Sequence, residues 1–378
     1  VRTAEQRAFA EAVDDFCGRH AGTREQRDLL SDNGARAHNH ELYAACARLG
    51  WLGAGLPEAY GGVGGGMTET VIFAERIAYG LAPLGGFVTT MVAVGPYLTF
   101  GGDEQRKTVV SGAVNGAVEA ISMSEPGAGS DVAAVRCRAE AVAGGYVING
   151  QKTWCSNAQI ADHILLVART SWTVGERHAG LTMFCVPAGT EGLTVRDIPT
   201  MGGRDICDLF FTNCFLPAGA VVGTVDRAWP QLMAGLNSER LILAATMLGR
   251  AKRTFDDTLA YVTDRRQFGR PIGSFQALRH RLADLATEIA CADLLVYDVV
   301  AKVDAEPARQ LPREASMAKL KATETAKKVA IEGMQMMGGY GYATEFDMES
   351  HLRATIVSTV YGGTSEIQRD IIGHSYGL

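Results

Sequence analysis

The 378 residues are 47% hydrophobic and 21% charged, with a formal net charge of −6 and a pI near 5.8. This balance is ordinary for a folded globular chain, and no basic stretch is long or aromatic enough to make nucleic acid a partner. No apolar run approaches the roughly 20 residues needed to cross a bilayer. The eight cysteines are scattered, without CxxC or His/Cys metal spacing, a pattern of buried or free thiols in a reducing compartment, so a cytoplasmic protein without a metal is expected.

Three zones follow in chain order. Residues 1–117 read as helical. AEQRAFAEAVDDFCGRH sets Phe9, Val13 and Phe16 on one face, NHELYAACARLGWLGAGLP runs into a Gly/Pro turn, and a third helix begins near Thr68. The glycine-rich loop before that third helix lacks GxGxxG after a strand and is not a dinucleotide loop. Residues 118–224 carry short β-branched and aromatic runs (GGYVINGQKTWCSN, HILLVAR, LTMFCVP, LFFTNCFLP) between Gly, Asn and Pro, which predicts an antiparallel β-domain. Residues 225–378 hold three long helical patterns. The first has apolar positions at 232, 236, 243, 247, 255, 259 and 262; the second carries Leu278, Leu282, Leu285 and Ile289. With modest connections they predict an antiparallel bundle. The expected architecture is mainly α with a central β-domain.

Several motifs carry chemistry. AISMSEPGAGSDVAAV, from Ala120 to Val135, makes a tight Glu125-Pro126-Gly127 loop, in which Gly129, Ser130 and Asp131 offer N–H and hydroxyl groups suited to a diphosphate or a ring edge. Trp154 and Ser156 stand two apart on a strand and face one side. VYGGTSEIQRD, from Val360 to Asp370, pairs a glycine turn with a helix cap. No GxSxG elbow is present, and His280, His351 and His374 show no hydrolase spacing.

These stretches, with DRRQFGRPIGSFQ and QMMGGYGYATE, resemble the acyl-CoA dehydrogenase family in the same order along essentially the whole chain. Ser122, Ser350 and Ala354 depart from its usual residues. The resemblance implies FAD as cofactor, held by Ile121, Met123, Ser124, Gly129 and Ser130, with Trp154 near the flavin ring and Ser156 near N5. It implies that Arg265, Gln267 and Phe268 reach the FAD of a neighbouring subunit, and that Gln335, Gly338 and Gly339 lie at its adenosine end. Thr364 and Glu366 lie near FAD, and Ser130, Tyr361 and Gly362 near substrate, the Gly362 N–H pointing at the thioester oxygen. The implied assembly is a homotetramer with shared FAD sites. The implied reaction oxidises an acyl-CoA at the α and β carbons: a base takes the α-proton, flavin N5 takes the β-hydride, and electrons pass to an electron-transfer flavoprotein.

Medium- and short-chain family members carry their catalytic Glu where this chain has Gly362, so the base must come from elsewhere. Glu239 lies three residues after Leu236 and four before Leu243, on the apolar stripe of its helix. There a carboxylate is paired, functional, or close to a frayed helix start. Glu239-Arg240 resembles the arrangement in isovaleryl-CoA and long-chain acyl-CoA dehydrogenases, which implies Glu239 as base and Arg240 as a thioester-side or CoA-phosphate contact. Glu125 is expected to stabilise its turn. Relatives acting on acyl or aminoacyl carrier proteins, a non-catalytic FAD-binding subunit of a mixed tetramer, and a flavin oxidase or monooxygenase are the other readings.

Overall fold

A computed structural model describes residues 2–172 and 176–378. The chain forms two compact units. One comprises Val1–Leu30, Met67–Ala82 and Arg240–Leu378; the other comprises Ser31–Gly66 and Pro83–Glu239. The division falls inside a single helix, Ala228–Asp264.

The second unit is built on a sheet that has eight strands among the described residues: β1 Glu119–Ser122, β2 Arg138–Val142, β3 Gly145–Ser156, β4 His163–Arg169, β5 Leu181–Pro187, β6 Leu193–Thr200, β7 Gly203–Pro217 and β8 Val221–Val222. The order is β6-β7-β3-β2-β4-β5-β8, with β1 added against β4. Most pairs are antiparallel, but β1 runs parallel to β4, Glu119 opposite His163 and Ser122 opposite Leu166, so the sheet is mixed. β4 is buried from Ile164 to Arg169, as a strand covered on both faces must be, hence its unbroken apolar run. β6 ends the order, is mostly exposed and contains Pro199, which only an edge strand tolerates. Ile148, Ile164, Leu166, Phe184 and Leu209 belong to the sheet's core. The helix Gly86–Phe100, which the sequence reading passes over, packs on β1.

The first unit is helical. Ala4–Ala21 packs on Met67–Tyr79, which packs on Gln276–Ala305; Pro312–Met337 packs on that helix and on Met348–Ile356 and Ser365–His374. Leu282, Leu285 and Ile289 are buried as their spacing predicts. Leu259 is not: it is 42% exposed, and Thr254 and Thr258 occupy the inner face. Their hydroxyls bond to carbonyls four residues back, at 2.7 Å each, which satisfies them without a partner helix. Gly333 stands against Thr258 so closely that a Cβ there would lie 2.5 Å from its Oγ1. Glu75, fully buried on the Met67–Tyr79 helix, accepts from Arg2 at 2.7 Å, Lys252 at 2.9 Å and the Tyr297 hydroxyl, tying three separate stretches together.

Candidate functional site

In the sheet-bearing unit, β1 runs into the glycine loop. Glu125 and Ala128 exchange both backbone bonds at 3.0 Å, closing a two-residue turn through Pro126-Gly127. Two buried cations bracket the loop. Lys152, 0% exposed, donates to Met123 O and to Glu125 Oε1, each at 2.8 Å. Arg169, 2% exposed, donates to Ala133 O at 2.7 Å and Val135 O at 3.3 Å. Glu125 also accepts from the Arg136 and Cys137 amides at 2.7 and 2.8 Å, so the expected turn-stabilising role holds. Ile121, Met123 and Ser124 are half-buried, while Gly129, Ser130 and Asp131 are exposed. Asp131 pairs with Arg177.

Beside the loop β3 bulges. Lys152 pairs with Leu209 and Cys155 with Cys207, so Thr153 and Trp154 together oppose Asp208 alone. Trp154 takes a left-handed φ of 59° and is 61% exposed. Cys155 is buried and Ser156 half-buried; because the bulge interrupts the strand at Trp154, simple alternation no longer assigns Trp154 and Ser156 to one face. Thr153 N donates to Ser124 O at 3.0 Å and Cys155 Sγ to Ile121 O at 3.3 Å, joining bulge to loop. Ile121, Met123, Ser124, Trp154 and Ser156 are thereby brought together.

Glu239 is half-buried at the point where its helix enters a run, Arg240 to Ala245, with every residue buried. Arg240 is 7% exposed and turned into the protein.

In the helical unit the Tyr361–Thr364 turn bends through Gly362 at φ 60° and Gly363 at φ 79°. Lys319, fully buried, donates to Ser358 O at 3.0 Å and Gly363 O at 2.8 Å, with its ammonium 5.8 Å from the Tyr361 ring centroid. Gln368 donates to Gly362 O and Gly363 O, each at 3.0 Å. Thr364 caps the Ser365–His374 helix by accepting from Ile367 N. Glu366 is exposed in its first turn, and hydrogen bonds from its own N–H and from Thr364 hold its carboxyl below the usual range. A cavity of about 510 Å³ is lined here by Thr359, Thr364, Ser365, Glu366, Lys327 and Lys328. Gln335, Gly338 and Gly339 are exposed at the end of the Pro312–Met337 helix, Gly338 as its left-handed cap. Arg265, Gln267 and Phe268 lie on an exposed two-stranded ribbon. Phe268 forms its tip at φ 52° and is 92% exposed.

Lys152, Arg169, Lys319 and Gln368 escaped the sequence reading. A lysine inside an otherwise strand-like run, as in GQKTW, is the one local signal available for any of them.

The residues present fit FAD. Gly129 has neither a left-handed φ nor any atom within 4 Å of where a Cβ would stand, so nothing among the described residues requires glycine there, and the space beside its backbone is open to a ligand. Ser365 Oγ is buried without a hydrogen-bond partner at a helix N-terminus, whose N–H groups suit an anion, in a cavity where Lys327 and Lys328 stand among Glu324, Glu332 and Glu366.

Three family models match the chain: acyl-CoA dehydrogenase N-terminal domain over residues 3–117, middle domain over 120–214 and C-terminal domain over 226–377. A mitochondrial isovaleryl-CoA dehydrogenase of Solanum tuberosum is 36% identical over 338 residues, 88% of this chain and 81% of that protein. The acyl-CoA dehydrogenase structure from Geobacillus kaustophilus superposes with a TM-score of 0.92 at 30% identity, covering 100% of this chain and 99% of the other. The prolyl acyl carrier protein oxidase AnaB gives 0.91 at 27% identity, with 100% of both chains covered. A helical and mixed-sheet fold that carries an FAD-compatible loop defines a flavoprotein oxidoreductase. This chain belongs to the acyl-CoA dehydrogenase family.

Proposed function

We propose that the chain oxidises an acyl-CoA thioester to the trans-2-enoyl-CoA, with Glu239 as the base that takes the α-proton. The observation that carries this reading is the position of Glu239, half-buried where its helix passes into a fully buried run, while the C-terminal turn offers glycine instead of a carboxylate. A base acting on carbon must be shielded from bulk water and must lie within reach of the proton it takes. Gly362 contributes its N–H to the thioester oxygen, polarising the carbonyl as charge develops. Bound FAD supplies the acceptor for the hydride leaving the β-carbon. The Met123–Ser130 loop, Trp154 and Ser156 hold and orient the flavin, and Thr364 and Glu366 lie by its chain. The exposed Arg265–Phe268 ribbon and Gln335–Gly339 serve the cofactor of a neighbouring copy in a homotetramer, and an electron-transfer flavoprotein takes the electrons. Likeness to the prolyl acyl carrier protein oxidase supports a second reading, in which the thioester is carried by a protein.

Anaerobic titration of FAD-loaded protein with acyl-CoAs, isovaleryl-CoA first, tests this by bleaching of the flavin band. Glu239→Gln should slow bleaching by about 10²–10⁴-fold. Equal bleaching by the variant would remove Glu239 from the mechanism. Absence of bleaching by every acyl-CoA, with FAD bound, would favour the carrier-protein thioester or a non-catalytic subunit.

A further inference from the structure

We propose that Lys152 and Glu125 are positioning residues for the cofactor: their buried ion pair ties the glycine loop to the Trp154 bulge as one body and so sets the geometry in which bound FAD reacts. This rests on the reading of that loop as the flavin site. The two side chains make four hydrogen bonds, all local to loop and bulge. Lys152 Nζ reaches Met123 O, upstream of the turn, and Glu125 Oε1, each at 2.8 Å. Glu125 holds the Arg136 and Cys137 amides, downstream of the turn, at 2.7 and 2.8 Å. Glu125 also pairs through its backbone with Ala128. Both flanks of an exposed loop thus converge on one side chain of β3. That side chain is the last in register before the bulge, and Trp154, two residues on, owes its left-handed backbone to the bulge. The bonds from Thr153 N to Ser124 O and from Cys155 Sγ to Ile121 O complete the link. Displacing the ammonium therefore moves loop and indole together.

A buried ion pair is seldom worth more than an apolar pair of the same volume, so stability alone gives this one little to do. Its bonds are directional, and misplacing reacting groups by about 1 Å can cost as much as 10²-fold in rate.

The test uses full-length, FAD-loaded protein and compares Lys152→Met, Glu125→Gln and the double variant, which leaves no unpaired buried charge. Binding of FAD by the wild type establishes the underlying reading; failure of the wild type to bind FAD would sink that reading and the proposal with it. Granted binding, the double variant should keep its fold and bind FAD about 10-fold more weakly. At saturating FAD it should lose about 10-fold or more in kcat with KM little changed, and shift the visible flavin band. A lowered melting temperature with wild-type kcat, FAD affinity and spectrum would reduce the pair to a structural one and overturn the proposal. A measurement on the wild type is independent of any variant's folding. Adding FAD should slow hydrogen exchange at the Arg136 and Cys137 amides, which meet the loop through Glu125; unchanged exchange there would equally overturn it.

Discussion

The glycine loop of the sheet-bearing unit keeps ordinary backbone angles at Gly127 and Gly129 and takes its shape from side chains outside it, Lys152 and Arg169. The Tyr361–Thr364 turn of the helical unit bends through two left-handed glycines, with Lys319 and Gln368 fastening the carbonyls that result. Each is a short exposed or half-exposed backbone offered to a ligand. In the first the information lies in the clamp; in the second it lies also in the turn itself. Glycine means different things in the two places: room for a ligand at Gly129, a backbone angle at Gly363.

Acid should separate the His351 cluster of the helical unit from the Glu119–His163 pair of the other most. In the helical unit His351 is fully buried, its Nε2–H donating to Asp257 at 2.8 Å, and burial, reinforced by Arg250, pushes its imidazole down to about 4. Unfolded, it would titrate near 6.5. The folded state therefore keeps its full advantage above pH 6.5 and loses about 3 kcal/mol as pH falls towards 4. Glu75 adds to this below the ordinary carboxylate range: burial opposes its ionisation, but Lys252, Arg2 and Tyr297 outweigh that and hold it low. At the Glu119–His163 pair of the sheet-bearing unit the signs reverse. Burial raises Glu119, and the Glu119 hydrogen bond raises His163, so protonation is not a cost at that pair, although burial also pushes His38 of the same unit down to about 4. Hydrogen-exchange protection, corrected for the intrinsic rate, should fall between pH 7 and 5 in Met348–Ile356 before it does in β1 and β4; the opposite order would contradict the assignment.

Alanine at the two glycines should break the comparison into its parts. Gly363→Ala places a Cβ 2.6 Å from Gln368 Nε2 at φ 79° and should cost about 2 kcal/mol in denaturant unfolding. Gly129→Ala should leave stability within about 0.5 kcal/mol, because its angle is ordinary and its space open, yet weaken FAD binding in a titration. Equal losses of stability at both would erase the distinction.

The smallest effect concerns two exposed aromatics with left-handed backbones, one in each unit. Trp154 and Phe268 both hold left-handed angles, at φ 59° and 52°. Phe268→Asn should change the unfolding free energy by no more than about 0.5 kcal/mol, since Asn tolerates that region but the substitution also removes an edge-to-face contact with Phe275, ring centroids 6.0 Å apart. It should also cost cofactor retention, measured as FAD content after gel filtration. A larger fall in stability would mean that the contact with Phe275 outweighs the relief of the backbone angle.

The bundle was readable because apolar spacing encodes a face, and Leu282, Leu285 and Ile289 fill it. Leu259 misled because threonines that bond their own helix can be buried, a possibility no hydrophobic pattern displays. β6 is an edge strand with a proline and little to bury, and β1 hides inside a motif that reads as a loop; neither gives a period-2 signal. The helix Gly86–Phe100 is apolar around most of its girth and contains Pro96, so it lacks a polar side to mark it. At the candidate site the glycine loop, the Trp154 strand and the Tyr361–Thr364 turn were legible as motifs. Their supports were not, because the burial of Lys152 or Lys319 depends on what other strands and helices bring over it.

The network around Glu75 also has a consequence for the chain during synthesis. Glu75 emerges early, but Lys252 and Tyr297 follow 177 and 222 residues later. At about 5–20 residues per second, the wait for Tyr297 is roughly 10–45 s. For roughly the first 9–35 s, until Lys252 is made, Glu75 has Arg2 but neither Lys252 nor Tyr297 to meet, which delays the final packing of the Met67–Tyr79 helix. Segments from Ser31–Gly66 and Pro83–Glu239 are meanwhile complete and free to collapse on one another. The nascent polypeptide should therefore fold from its middle outward, with its first helix among the last pieces to settle.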